Sequence, residues 1–207
     1  MKFPVAPRIA AIVLAAGQSS RMGANKLLLP LDGKPLIAHA VDTARASNVT
    51  SIVMVLGHQA EKIRALFDGG DVKFVLNENY RQGMAGSLKC GLAAAPDDCD
   101  GAMIFLGDMP DIDAELTNRI IAAFDPGQGR AVVVPVKAGR RGHPVLWGRR
   151  FFPLLQQKLS GDSGAKSVIE ENAGWVVRVE TAQDGVFADI DTPEAFSARA
   201  AKTRLFT

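Results

Sequence analysis

At 207 residues the chain is long enough for one domain with a substantial core and short for two. Its 47% hydrophobic and 22% charged residues exclude a disordered or low-complexity chain. A formal charge of +2 gives no bulk attraction for nucleic acid or for a membrane surface, so any anion site must be built locally. A single domain over 1–207 is the simplest expectation. Cys90 and Cys99 fit neither a CxxC motif nor a four-ligand zinc pattern, which points to reduced thiols in a cytoplasmic protein.

In chain order, MKFPVAPRIAAIVLAAG superficially resembles a secretory leader. Two prolines and Arg8 precede its apolar run, however, and the run over 9–16 is short and leads straight into a glycine loop. A buried strand is the better reading. No stretch approaches the roughly 20 apolar residues of a membrane-spanning helix. Helical spacing over 35–47 is followed by a strand at SIVMVL and a short amphipathic helix over 59–67. A strand over 72–76 leads to a helix over 86–95 that Pro96 stops. GAMIFL is the next strand, 113–124 the next helix, and AVVVPV a fifth strand.

This alternation predicts a three-layer α/β fold, Rossmann-like, with a mostly parallel central sheet. Ligands of such sheets bind beyond the carboxyl ends of the strands. After Val136 the pattern breaks. VKAGRRGHPVLW reads as a loop and a short strand in a small antiparallel excursion. Helices over 151–159 and 163–171, a strand over 175–179 and a helix over 192–201, opened by Thr-Pro, complete the chain.

Five segments could carry chemistry. LAAGQSSRMGANK has the look of a P-loop, but five residues separate Gly17 from Gly23 and Lys26 comes three positions later. Its glycines let backbone N–H groups approach anionic oxygens, while Arg21 offers a planar fork and Lys26 a mobile point charge. Two cations beside one glycine loop suit a triphosphate. In FLGDMPDID, Asp108 follows a buried strand and is placed to hold Mg²⁺, whereas Asp111 and Asp113 read as helix caps. In FADIDTPEAF, either Asp189 or Asp191 could join that metal, or Asp191 could cap the last helix. NENYRQGMAGSLKCGL could receive a base or an anion at a helix start, or could be a glycine turn alone. RRGHPVLW and SGDSGAK concentrate positive charge, with His143 and Lys166 as the ligand-facing candidates.

Together these motifs resemble one family. LAAGQSSRMGANKLLLPLDGKPLI is similar to the signature of nucleotidyltransferases with the nucleotide-diphospho-sugar transferase fold. GMAGSL, GDMP, RRGHPVLW, GDSGAK and DIDTPEAF, in this order, resemble the molybdenum cofactor cytidylyltransferases. The resemblance implies transfer of CMP from CTP to the terminal phosphate of molybdopterin carrying molybdenum, with Mg²⁺ as cofactor and pyrophosphate released. It implies that Leu14, Ala15, Ala16 and Gly17 lie along the nucleotide and that Arg21 and Lys26 hold its phosphates. Gly83 and Ser87 would border base or ribose. Asp108, with Asp191 or Asp189, would hold the metal. His143 and Lys166 would face the pterin. A client molybdoenzyme or its maturation chaperone is an implied partner.

Three departures bear on substrate. Ala16 stands where guanylyl-transferring relatives tend to have glycine, which leans towards cytidine. Ala85 and Gly86 stand where cytidylyltransferases often have serines, and Lys166 where arginine is common. The alternatives are use of GTP, a sugar or polyol phosphate as acceptor, an oxidoreductase, and a non-catalytic cofactor carrier. Against the oxidoreductase, the glycine spacing is not GxGxxG and SIVMVL is followed by GHQ rather than an acidic residue.

Overall fold

A computed structural model describes residues 6–67, 69–161 and 165–204. The chain opens with β1, Ile9–Ala15, followed by the glycine loop and the short hairpin of β2, Pro30–Leu31, and β3, Lys34–Pro35. Then come α1, Leu36–Arg45; β4, Ser51–Leu56; α2, Ala60–Arg64; β5, Val72–Leu76; and α3, Met84–Ala94. β6, Gly101–Leu106, leads into α4, Ala114–Ala123, and β7, Val132–Lys137. The later third holds β8, Arg140–Arg141; β9, Val145–Gly148; α5, Phe152–Lys158; α6, Lys166–Glu171; β10, Val176–Glu180; and α7, Pro193–Arg204. The start of the helix expected over 163–171 falls partly outside the described residues.

The main sheet runs β10-β7-β9-β6-β1-β4-β5, with β8 paired to β7. β1 pairs in parallel with both β4 and β6, so the run that superficially resembled a leader is an interior strand of the sheet. β4–β5 and β7–β10 are also parallel. Layers form because β1 is apolar on both faces. Ile9, Ala11, Val13 and Ala15 pack with α1, α2 and α4 on one side; Ala10 and Ile12 pack with α3, α5 and α6 on the other. The three-layer α/β fold is therefore as expected.

The antiparallel segment lies deeper than a peripheral excursion. β9 is inserted between β6 and β7, antiparallel to both, and its four residues are all buried. A tight turn with positive φ at Ala138 and Gly139 reverses β7 into β8. Two capping expectations divide. Asp113 caps α4, its carboxylate accepting from Leu116 N–H at 2.8 Å. Asp111 caps nothing; Arg199 of α7 donates to it at 2.7 Å. Asp191 does not cap α7 either, because Thr192 Oγ1 accepts from Ala195 N–H. Among the described residues no helix is long and apolar enough to cross a membrane.

Candidate active site

The parallel strands deliver their following loops to one edge of the sheet. The glycine loop after β1 closes on itself, since Met22 N–H donates to Ser19 O at 2.9 Å and Lys26 N–H to Ser19 Oγ at 3.1 Å. Asn25, buried, caps the turn that follows and reaches His58 O beyond β4. A Cβ on Gly17 would meet no atom within 4 Å, so this glycine borders open space. Gly107 is different. A Cβ there would lie 2.9 Å from Leu14 O and 2.6 Å from Ile37 Cδ1. Only glycine lets the loop after β6 approach β1 this closely, and that approach sets the position of Asp108.

These loops enclose a cleft of about 530 Å³. Leu14, Ala16, Gly17, Arg21, Lys26, Gly83, Ser87, Asp108 and Asp191 all line it. Ala15 does not; it is buried in the core beneath. At the floor, Lys26 Nζ donates to Asp108 Oδ2 and to Asp191 Oδ1, both at 2.5 Å. Arg21 Nη2 donates to Asp191 Oδ2 at 2.6 Å from a mostly exposed position. Ile190 N–H donates to Asp108 O at 3.0 Å, which ties the two carboxylate segments together.

Lys26 is only 8% exposed, so its charge requires these partners. Burial alone would push the ammonium down; the charge and hydrogen bond of Asp108, joined by Asp191, hold it above the usual lysine range. Burial likewise works against the Asp191 carboxylate, yet Lys26 and Arg21 hold it below the usual range. Asp189 goes the other way. Desolvation raises it, and the neighbouring charges of Asp191 and Asp108 add to this. Asp191 lines the cleft and bonds Lys26 beside Asp108, and Asp189 lies near enough to feel both carboxylates.

A second cavity of about 510 Å³ adjoins the first and shares Leu14, Met84 and Leu106 with it. His143 and Lys166 line it, with Arg140, Arg141 and the buried Trp147. Among the described residues His143 Nδ1 is buried without a hydrogen-bond partner, and burial holds the ring below the usual histidine range against the opposing charge of Asp108. Arg140 stacks on Phe187 with 4.3 Å to the ring centroid, while Arg141 pairs with Glu170 at 2.8 Å. The expected helix start at GMAG is partly occupied: Ala85 N–H donates to Gly161 O at 3.0 Å. That bond links α3 to the first residue of GDSGAK, of which 162–164 lie outside the described residues.

Sequence reasoning did not single out Tyr80, Arg81 and Gln82, which form a short 3₁₀ turn on the cleft wall. It also missed the buried pair in which Asn77 Nδ2 donates to Ser87 Oγ at 3.0 Å. The signal available was NENYRQ itself, a polar run closing a strand at the ligand edge.

A family model described as the MobA-like NTP transferase domain matches residues 11–176. The chain belongs to this family. It is a MobA-like nucleotidyltransferase with the nucleotide-diphospho-sugar transferase fold. Among curated relatives, it is 27% identical to nicotine blue oxidoreductase of Paenarthrobacter nicotinovorans, covering 91% of this chain and 94% of that protein. It is 32% identical to the bifunctional protein GlmU of Geotalea uraniireducens, covering 79% of this chain and 34% of that one. The chain therefore spans about a third of GlmU. Among solved structures, the Rv0371c homologue from Mycobacterium sp. strain JC1 superposes with a TM-score of 0.84 at 29% identity, covering 97% of this chain and 98% of that one. Rv0371c of Mycobacterium tuberculosis H37Rv, solved as a manganese complex, gives 0.77 at 26% identity, covering 94% and 98%.

Proposed function

We propose that this MobA-like transferase moves CMP from CTP to the terminal phosphate of molybdenum-bearing molybdopterin, with Mg²⁺ as cofactor, in the cytoplasm. The observation that carries the reading is the convergence of Lys26, Asp108 and Asp191 on the floor of a glycine-loop cleft that opens into a second cavity. The first cavity takes the triphosphate and the second takes the acceptor. Their shared wall at Leu14, Met84 and Leu106 puts the acceptor phosphate beside the nucleotide.

The carboxylates fit a divalent ion. Asp108 Oδ2 and Asp191 Oδ1 already meet at one point, each 2.5 Å from the same ammonium, so Lys26 stands where a cation is wanted. Among the described residues no group of three or more His, Cys, Asp or Glu is placed to hold a metal. Two carboxylates with phosphate oxygens and water completing the shell is the arrangement Mg²⁺ favours. When bound, the ion would offset the charge developing on the phosphate oxygens.

In the reaction an acceptor phosphate oxygen bonds to the α-phosphorus, and the bond to the β-phosphate oxygen breaks to release pyrophosphate. Both reactants are anions. The work of the chain is to position them and neutralise their charge. Lys26 would hold the triphosphate with its ammonium and Arg21 would offer its fork to the same phosphates, which would leave Asp108 and Asp191 to hold a divalent ion. Loop N–H groups around Gly17 approach the phosphates directly. His143 Nδ1, unpartnered in the second cavity, finds its hydrogen bond in the acceptor, and Lys166 faces its charge. No side chain serves as a nucleophile. The phosphate acceptor is already ionised near neutral pH, so no dedicated base is needed.

The test is turnover with molybdenum-bearing molybdopterin, Mg²⁺ and either nucleotide. Pyrophosphate release with CTP is expected; release with GTP alone would move the reading to guanylyl transfer, and release only with a sugar or polyol phosphate would move the acceptor. The full-length likeness to a protein named an oxidoreductase supports a second reading, reduction using a nicotinamide cofactor. NAD(P)H oxidation without pyrophosphate release would favour it.

A further inference from the structure

Behind the carboxylate pair lies a second set of three charges. Arg199 of α7 donates from Nε to Asp111 Oδ1 at 2.7 Å and from Nη2 to Asp32 Oδ2 at 3.0 Å. The side chains of Arg199, Asp32 and Asp111 are 20%, 23% and 32% exposed, so water screens these contacts little. Each member lies a few positions downstream of one member of the inner set. Asp32 follows Lys26, Asp111 follows Asp108, and Arg199 follows Asp191. Both sets join one cation to two carboxylates, with the cation on a different segment each time.

The anchors on either side are stiff. Asp32 sits in the two-residue turn between β2 and β3, with positive φ at Asp32 and Gly33. Asp111 is pressed against the segment leading to Asp191, where a Cβ on Gly185 would come within 2.3 Å of Asp111 O.

We infer that Arg199 is a positioning residue whose fork registers α7 against the loop after β6 and the β2–β3 turn, and so sets how closely Asp108 and Asp191 approach. The inference rests on reading those two aspartates as the metal ligands. Without the fork the carboxylates separate and hold a divalent ion less tightly. The cleft wall at Tyr80 to Ser87 belongs to other segments and is unaffected.

The test uses the full chain with Mn²⁺ and a CTP analogue carrying a methylene bridge between the α- and β-phosphorus. Calorimetric Mn²⁺ affinity is compared among the parent, Arg199→Gln, Arg199→Lys and Asp111→Asn, alongside hydrogen exchange over residues 188–192. Arg199→Gln and Asp111→Asn are expected to weaken Mn²⁺ binding about tenfold. They are also expected to speed exchange of the Ile190 amide, with Arg199→Lys in between on both readouts. Unchanged affinity in Arg199→Gln overturns the inference, including the case where exchange alone quickens and the residue is merely structural. Should that variant not fold, Asp32→Asn keeps the Arg199–Asp111 bond and is expected to lose about threefold; affinity equal to the parent then overturns it. A parent that binds no Mn²⁺ overturns the metal reading and this inference with it, whereas a parent that binds and a variant that binds equally well overturn the inference alone.

Discussion

Lys26 is held between two carboxylates at 2.5 Å from each, and its replacement separates two roles that residue type alone could not. Lys26→Met removes the competing cation, so Mn²⁺ without nucleotide should bind several-fold more tightly while triphosphate binds about tenfold more weakly. Metal-free stability should fall by about 1–3 kcal/mol, less than for a fully buried pair because Asp191 keeps 32% of its side chain in water. Metal and nucleotide titrations with thermal melts check all three, and unchanged metal affinity would contradict the exchange of partners. His143 carries the pH prediction. Burial lowers its folded value, so below the ordinary histidine range the unfolded chain takes up a proton that the folded ring refuses. Stability should therefore drop between pH 8 and pH 5, and His143→Gln should drop less; equal urea-midpoint changes would refute it. That Arg21, Lys26 and Asp108 lie at one ligand edge was legible, because residue type and position after a strand act locally. The pairing of Asp191 with Lys26 was not, because it joins residues 165 positions apart.

Elements with a one-sided apolar stripe were easiest to read. Helices α1 and α4 match their spacing, since each buries one face against the sheet. The central insertion of β9 carried no such signal. A strand buried on both faces shows an apolar run without alternation, and its antiparallel direction is set by the β7–β8 turn. Asp111 misled for a related reason: a carboxylate before a helix reads as a cap until a distant arginine claims it. The turn after β6 offers a test at this scale. Gly107→Ala places a methyl against Leu14 O and Ile37, which should cost about 1–3 kcal/mol. Because Asp108 is next in the chain, the metal concentration for half-maximal turnover should rise as well. A melt shifted without a change in metal requirement would show that the turn does not set the aspartate.

Across the whole molecule, one mostly parallel sheet gathers loops from the first strand to the last helix onto a single edge. Alternation of strands and helices made this architecture legible, and the family match over 11–176 agrees with it. The ties that finish the site were hidden, because Arg199–Asp111 and Asn77–Ser87 join segments that no local pattern pairs. The proposed substrate choice lies at this scale too, since it rests on two cavities meeting along Leu14, Met84 and Leu106. Transfer of CMP, as proposed, requires the α-phosphorus itself to move across that boundary. CTP labelled at the α-phosphate, incubated with the protein, Mg²⁺ and molybdenum-bearing molybdopterin, measures this directly. The label should appear in the acceptor in equal amount to the pyrophosphate released. Label that stays in CTP, or leaves as free CMP with none in the acceptor, would contradict it.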